Sequence, residues 1–151
     1  MELRTKYFGT ISCCEEDMLH FPAGFIGFED ETKFFLLPFD GSNGTLLCFQ
    51  SAKTPALAFV AMDPFALDPC YTPELADSEL EQMGVPCSQE LSFYTLCVVK
   101  DPVGSTTVNL RCPVAINPNT RTAMQVILES NEYHMHHLLS EFGLKGADGS
   151  C

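Results

Sequence analysis

Proline, glycine, asparagine and aspartate interrupt this chain so often that its apolar runs have the length of strands rather than helices. Residues 33–39, 45–51, 57–62 and 91–99 are such runs. Between them stand Asp40-Gly41-Ser42-Asn43-Gly44, Lys53-Thr54-Pro55, Asp63-Pro64 and Asp68-Pro69, all read as turns. Glycine supplies positive φ, proline fixes φ and cannot donate to a ladder, and Asn or Asp bonds its own backbone. Residues 3–11 read as a strand pair or a bent strand, with Gly9 as turn or bulge, and residues 18–21 and 121–128 as further strands. The pattern predicts helix in two places. Over residues 73–83 an acidic stretch carries Leu75, Leu80 and Met83 and stops at Gly84; residues 131–142 form a second short helix. Short strands with tight turns between them predict a mainly β fold, a barrel or sandwich with one or two short helices. One domain is expected over residues 1–142, with a flexible tail over residues 143–151.

The chain pivots on Thr107-Val108-Asn109-Leu110-Arg111-Cys112-Pro113-Val114-Ala115-Ile116-Asn117. Two apolar runs flank Arg111-Cys112-Pro113. Pro113 marks an edge, a bulge or a strand start. The unit is expected to be two short strand segments meeting at a kink, mainly sheet core. Asn109 and Asn117 satisfy backbone groups there.

Charge narrows the partners. The net charge is −12, and residues 13–31 and 54–99 contain no lysine or arginine. Such a surface repels phosphate backbones and disfavours direct nucleic-acid binding. It attracts a basic protein and speeds encounter with it, although acidic residues more commonly serve solubility. No run approaches the roughly 20 apolar residues of a membrane span. The first residues alternate in charge with no long apolar stretch behind them, so no secretory signal is expected. The eight cysteines are irregularly spaced and include no C-x-x-C pair, which fits a reducing cytoplasm.

Catalytic signals are sparse. The segment 22–29 places two glycines among phenylalanines, but it lacks any phosphate-binding glycine spacing and is crowded by acids. Ser51 and Ser92 have no nucleophile-elbow context. His134, His136 and His137 cluster near Tyr133, and on a helix His134 and His137 would share a face. A metal-dependent hydrolase built on them is the enzymatic alternative, lacking an evident third ligand.

The pivot resembles the T-V-N-L-[RK]-A-P-[IV]-x-[IV]-N signature of the flagellar assembly factor FliW family. Further pieces follow in the same order. Phe21-Pro22-Ala23-Gly24-Phe25-Ile26-Gly27-Phe28-Glu29 is similar to the family's F-x-x-G-[IL]-x-G-F-E, and Phe49-Gln50-Ser51 to its L-Q-S. Asp63-Pro64 and Tyr71 fall at its D-P and Y. Gln125-Val126-Ile127-Leu128 matches its Q-V-I-L, and residues 133–137 its Y-x-x-[RK]-H. The matches run from about residue 3 to 140. Cys112 stands where alanine is usual, Phe25 where an aliphatic residue is, and His136 where a basic one is.

The resemblance implies a single-domain antiparallel β-barrel-like protein without enzymatic activity or cofactor. It implies binding to flagellin and, once flagellin is depleted, to the basic translational repressor CsrA, relieving repression of flagellin mRNA. A flagellin export chaperone without CsrA regulation is the alternative. The expected partner-binding residues are Phe25, Phe28 and Glu29 of the glycine-rich loop and Glu74, Asp77 and Glu81 of the acidic helix. For each phenylalanine alone, core packing is the commoner role. Neither membrane nor nucleic acid is an expected partner, and the expected location is cytoplasmic.

Overall fold

Alternation of side chains across the strands organises the molecule. In the computed structural model, which describes residues 1–42 and 44–142, seven strands close into a barrel: β3 (Leu19–His20), β4 (Lys33–Pro38), β5 (Leu46–Ser51), β6 (Ala58–Met62), β7 (Ser92–Val98), β9 (Val114–Asn117) and β10 (Thr122–Gln125). Neighbours are antiparallel except β3 and β10, which run parallel. A closed ring with an odd number of strands cannot alternate direction throughout, so one parallel pair is required. It costs little where both strands are short.

Along β4, Phe34 and Leu36 point into the barrel while Phe35 and Leu37 point out; along β9, Val114 and Ile116 point in and Ala115 out. Three apolar clusters result. The first fills the barrel. The second lies under the hairpin of β1 (Glu2–Arg4) and β2 (Thr10–Ser12), where Leu3 and Met18 cover Phe35. The third lies on the opposite wall, under residues 63–91 and 126–139, and contains Met62, Phe93, Val108 and Leu128.

The pivot forms as expected. β8 (Thr107–Val108) and β9 both pair with β7, and residues 109–113 bulge between them. Asn109 Oδ1 accepts the Cys112 N–H at 2.9 Å. Asn117 accepts from the Asn119 N–H at 3.0 Å and donates to the Met83 carbonyl at 2.8 Å. The buried Asn117 amide remains stable only with such partners. Arg111 is partly buried. The first hairpin is also as read, with Gly9 at φ +66 in its turn.

Three local expectations are corrected. Asp63-Pro64 opens a short helix, α1 (Pro64–Leu67), rather than a simple turn; the Asp63 carboxylate accepts the Phe65 N–H at 3.0 Å. The acidic helix α2 spans Asp77–Met83 and not residues 73–83. Leu75 is drawn into the core with its N–H bonded to Ser88 Oγ at 3.0 Å, and Ala76 is extended. Gly84 ends the helix at φ +71 as expected, with the Val85 N–H reaching back to the Leu80 carbonyl. Residues 131–142 are not a helix. They contribute β11 (His137–Leu138), which pairs with β8, and a single 3-10 turn, Leu139–Glu141. Tyr133 is buried, and the His134 carbonyl accepts from both Leu110 and Arg111 N–H groups, so tertiary pairing overrides local preference. The expected tail, residues 143–151, lies outside the described residues.

Candidate partner-binding surface

One mouth of the barrel is closed by the glycine-rich loop. β3 runs directly into it. Phe21 and Phe25 stack at 4.6 Å, and Phe25 meets Phe34, Phe49 and Phe59 at 4.8, 5.6 and 4.6 Å. Phe25 is 1% exposed. The expectation that it touches a partner is therefore corrected: its ring is a plug in the barrel. Burying a ring of this size is worth about 1.5–3 kcal/mol.

The chain then reverses over four residues. Phe25 and Phe28 exchange backbone hydrogen bonds at 3.3 and 2.8 Å, and Gly27 takes φ +90 at the third position, where a type II turn requires glycine. Gly24, at φ +67, lies so close to the returning strand that a Cβ would sit 2.5 Å from the Phe28 carbonyl oxygen. The reversal drives Ile26 and Phe28 outward, 54% and 44% exposed. Glu29 is exposed and folds back to accept the Gly27 N–H at 2.9 Å, which holds its carboxyl below the usual range. Gln125, at the end of β10, pins the loop by accepting the Ile26 N–H at 3.0 Å while donating to the Cys112 carbonyl at 3.3 Å.

Beyond Gln125 the same strand direction builds the second half of the surface. Val126 and Leu128 are buried, whereas Ile127 between them is 54% exposed. It lies in a groove of about 430 Å³ whose walls carry Glu74, Glu79, Glu129 and Glu132. Glu79 caps α2, its carboxylate accepting the Ala76 N–H at 2.8 Å. Glu74, Asp77 and Glu81 are all exposed. The expected residues Phe28, Glu29, Glu74, Asp77 and Glu81 are thus on the surface, and Phe25 is not. The sequence reading missed Ile127, Glu129 and Glu132. Ile127 was hidden inside an unbroken apolar run, although period-2 alternation with Val126 and Leu128 places it opposite the core.

Exposed Ile26, Phe28 and Ile127 stand with carboxylates around them, of which Glu29 and Glu79 accept backbone N–H groups, the pattern of an apolar centre with a polar rim. Burial pushes the Cys48 and Cys97 thiols up to about 11 and about 12, away from the reactive thiolate. The histidines do not share a helix face. His137 Nε2 accepts the His134 N–H at 2.9 Å, and its Nδ1 faces Glu141 at 3.1 Å. Among the described residues no group of three or more His, Cys, Asp or Glu could hold a metal ion, and no helix is long and apolar enough to cross a membrane.

The remaining signature residues build scaffold. Gln50 is fully buried; its amide donates to the Ser51 and Pro55 carbonyls, and its oxygen accepts the Lys6 N–H at 2.9 Å. Tyr71 donates to the Leu110 carbonyl at 2.6 Å, and its ring meets Tyr133 edge-on at 4.7 Å. Tyr133 in turn accepts the Thr72 N–H at 2.9 Å.

The family model described as FliW protein matches residues 2–139. The flagellar assembly factor FliW of Geobacillus sp. (strain WCH70) is 40% identical over 139 residues, covering 92% of this chain and 95% of that one. The protein of the same name from Alkaliphilus metalliredigens (strain QYMF) is 32% identical over 141 residues, covering 93% and 87%. A solved structure, the crystal structure of the flagellar assembly factor FliW, superposes with a TM-score of 0.85 at 37% identity and covers 92% of this chain and 96% of the other. With a matching family model, related sequences and a matching barrel, this chain belongs to the FliW family of flagellar assembly factors.

Proposed function

We propose that this protein acts in the cytoplasm as a non-enzymatic partner-switching antagonist. In one state it binds flagellin; when flagellin is exported it binds the basic repressor CsrA and relieves repression of flagellin mRNA translation. The observation that carries this reading is the groove in which Ile127 stands among Glu74, Glu79, Glu129 and Glu132. An acidic protein docked beside an RNA-binding surface adds negative potential where phosphates must approach. That repulsion reaches roughly one Debye length, ~8–10 Å at physiological salt. The two partners draw on one pool, so flagellin in excess lowers the amount available to CsrA.

The test is titration of purified CsrA and purified flagellin, separately and in competition, at low and high salt. The expected result is binding to both, with an association rate for CsrA that falls as salt rises. Binding to flagellin with none to CsrA would overturn the regulatory half and leave an export chaperone. An association rate independent of salt would remove the electrostatic mechanism.

A further inference from the structure

The glycine-rich loop closes the barrel mouth at the start of β4 and the end of β10. At the opposite mouth lies a cavity of about 420 Å³, within the ~300–1,000 Å³ of small-molecule sites. Its floor is apolar, formed by Leu19, Leu36 and Ile116 of the barrel interior. Tyr94, on the same inner face, meets Phe49 edge-on at 6.2 Å, and among the described residues its hydroxyl makes no hydrogen bond. Two opposite charges, Asp17 and Arg121, stand at the lip. They are 3.8 Å apart, longer than the ~2.7–2.9 Å of a charge-assisted hydrogen bond, and both side chains are exposed. Each keeps hydrogen-bonding capacity for a further group. Arg121, the only cation among the lining residues, reaches the lip from a strained position. It ends the four-residue loop 118–121 between β9 and β10 at φ +62. Glycine or asparagine occupies that left-handed region with less strain, and among the described residues no other non-glycine adopts it. The Arg121 N–H bonds the Asn117 carbonyl and its carbonyl accepts the His20 N–H, each at 2.9 Å, so the guanidinium extends from a backbone fixed on both sides. A turn alone would be met by glycine; strain held in place around a charged side chain points to a use for that side chain.

We infer that this mouth binds a free α-amino acid with a large apolar side chain: the carboxylate on Arg121, the ammonium on Asp17, and the side chain over Leu19, Leu36 and Ile116 beside Tyr94. Charge selects the class. A simple carboxylate would be repelled by Asp17 on a chain of net charge −12, and a simple amine by Arg121. A zwitterion satisfies both groups and brings no net charge to the acidic chain. Its ammonium and carboxylate stand on one carbon, as Asp17 and Arg121 stand side by side. The cavity shares no lining residue with the acidic groove, so the site does not rest on the proposed binding of CsrA.

The test titrates the full chain with L-leucine, L-phenylalanine and L-methionine, followed by backbone amide shifts in two-dimensional NMR. The expected result is saturable binding of at least one of them, with the shifts centred on residues 17, 94, 116 and 121. The amide of that amino acid lacks the carboxylate and its N-acetyl derivative lacks the ammonium; each should bind about tenfold or more weakly. Arg121→Gly separates the site from the scaffold. Glycine relieves the left-handed position, so the thermal midpoint should hold or rise while binding falls about tenfold or more. Where that variant fails to fold, Asp17→Asn is the second arm: it should weaken the amino acid and leave the N-acetyl derivative unaffected. No saturable binding of any of the three at millimolar concentration would overturn the proposal. So would equal binding of the amide or the N-acetyl derivative, shifts centred elsewhere on the barrel, or an Arg121→Gly variant that binds as the parent chain does.

Discussion

In residues 107–117 the polar groups turn inward; around the groove of residues 74–81 and 127–132 they turn outward. Asn109, Asn117 and the Leu110 carbonyl each end in a hydrogen bond to the protein itself, at 2.6–3.0 Å. Glu74, Asp77, Glu81, Glu129 and Glu132 end in solvent. The first region has already spent its directional chemistry on the fold. The second keeps its charge in water. The most recognisable residues of the chain and its most available ones are therefore different sets, and substitutions should separate them.

The sharpest separation is expected at the plug. Phe25→Ala opens a cavity among four aromatic rings and should cost about 3–5 kcal/mol in chemical denaturation. Loss of partner binding in that variant would follow from unfolding alone. Gly24→Ala should come next: a methyl cannot fit 2.5 Å from the Phe28 carbonyl at φ +67, and the loss should be about 1–3 kcal/mol or more. Gly27→Ala faces open space and should be clearly milder, so equal costs at the two glycines would contradict the account of the loop. Tyr71→Phe strands the buried Leu110 carbonyl and should lower stability by about 1–3 kcal/mol without altering the groove.

A pH titration probes a carboxylate that is tied to the scaffold. Glu31 accepts from Ser51 Oγ at 2.6 Å and Thr54 Oγ1 at 2.7 Å, chiefly the Ser51 bond holding its carboxyl below the ordinary 4.5. A lowered folded value means stability that is fully present above the unfolded pKa and lost as pH falls through the folded one. Thermal midpoints of Glu31→Gln and the parent chain should therefore converge in acid and separate near neutrality. The smallest effect on stability is expected at the rim: Ile127→Ala and Glu129→Lys should each stay within about 0.5 kcal/mol of the parent chain. A larger loss would place Ile127 with the scaffold.

Much of the barrel was legible in the sequence because turn chemistry is local. Asp40-Gly41, Gly84 and the kink at Pro113 each ended an element near where the structure ends it. What failed was set at long range. Residues 131–142 carry no strong period, and the strand β11 exists because β8 offers it an edge. Leu75 leaves the helix for a core contact that its neighbours in sequence do not announce. On the surface, charge alone pointed to Glu74, Asp77 and Glu81, since charged groups stay in water. It could not separate Phe25 from Phe28, three residues apart, because the four-residue turn between them sends one ring in and the other out. Ile127 was masked by the same blindness to which face of a strand is covered.

The most direct test of the outward-facing groove is the association of CsrA with the parent chain, with Ile127→Ala and with a Glu74→Lys/Glu129→Lys double variant, at low and high salt, alongside a denaturation curve for each. The expected result has two parts. Ile127→Ala should weaken the complex about tenfold or more, chiefly through faster dissociation. The double variant should slow association at low salt and lose that difference at high salt, with all three proteins equally stable. Unchanged rates and affinity in both variants, with the fold intact, would contradict the assignment and move the docking surface elsewhere on the barrel.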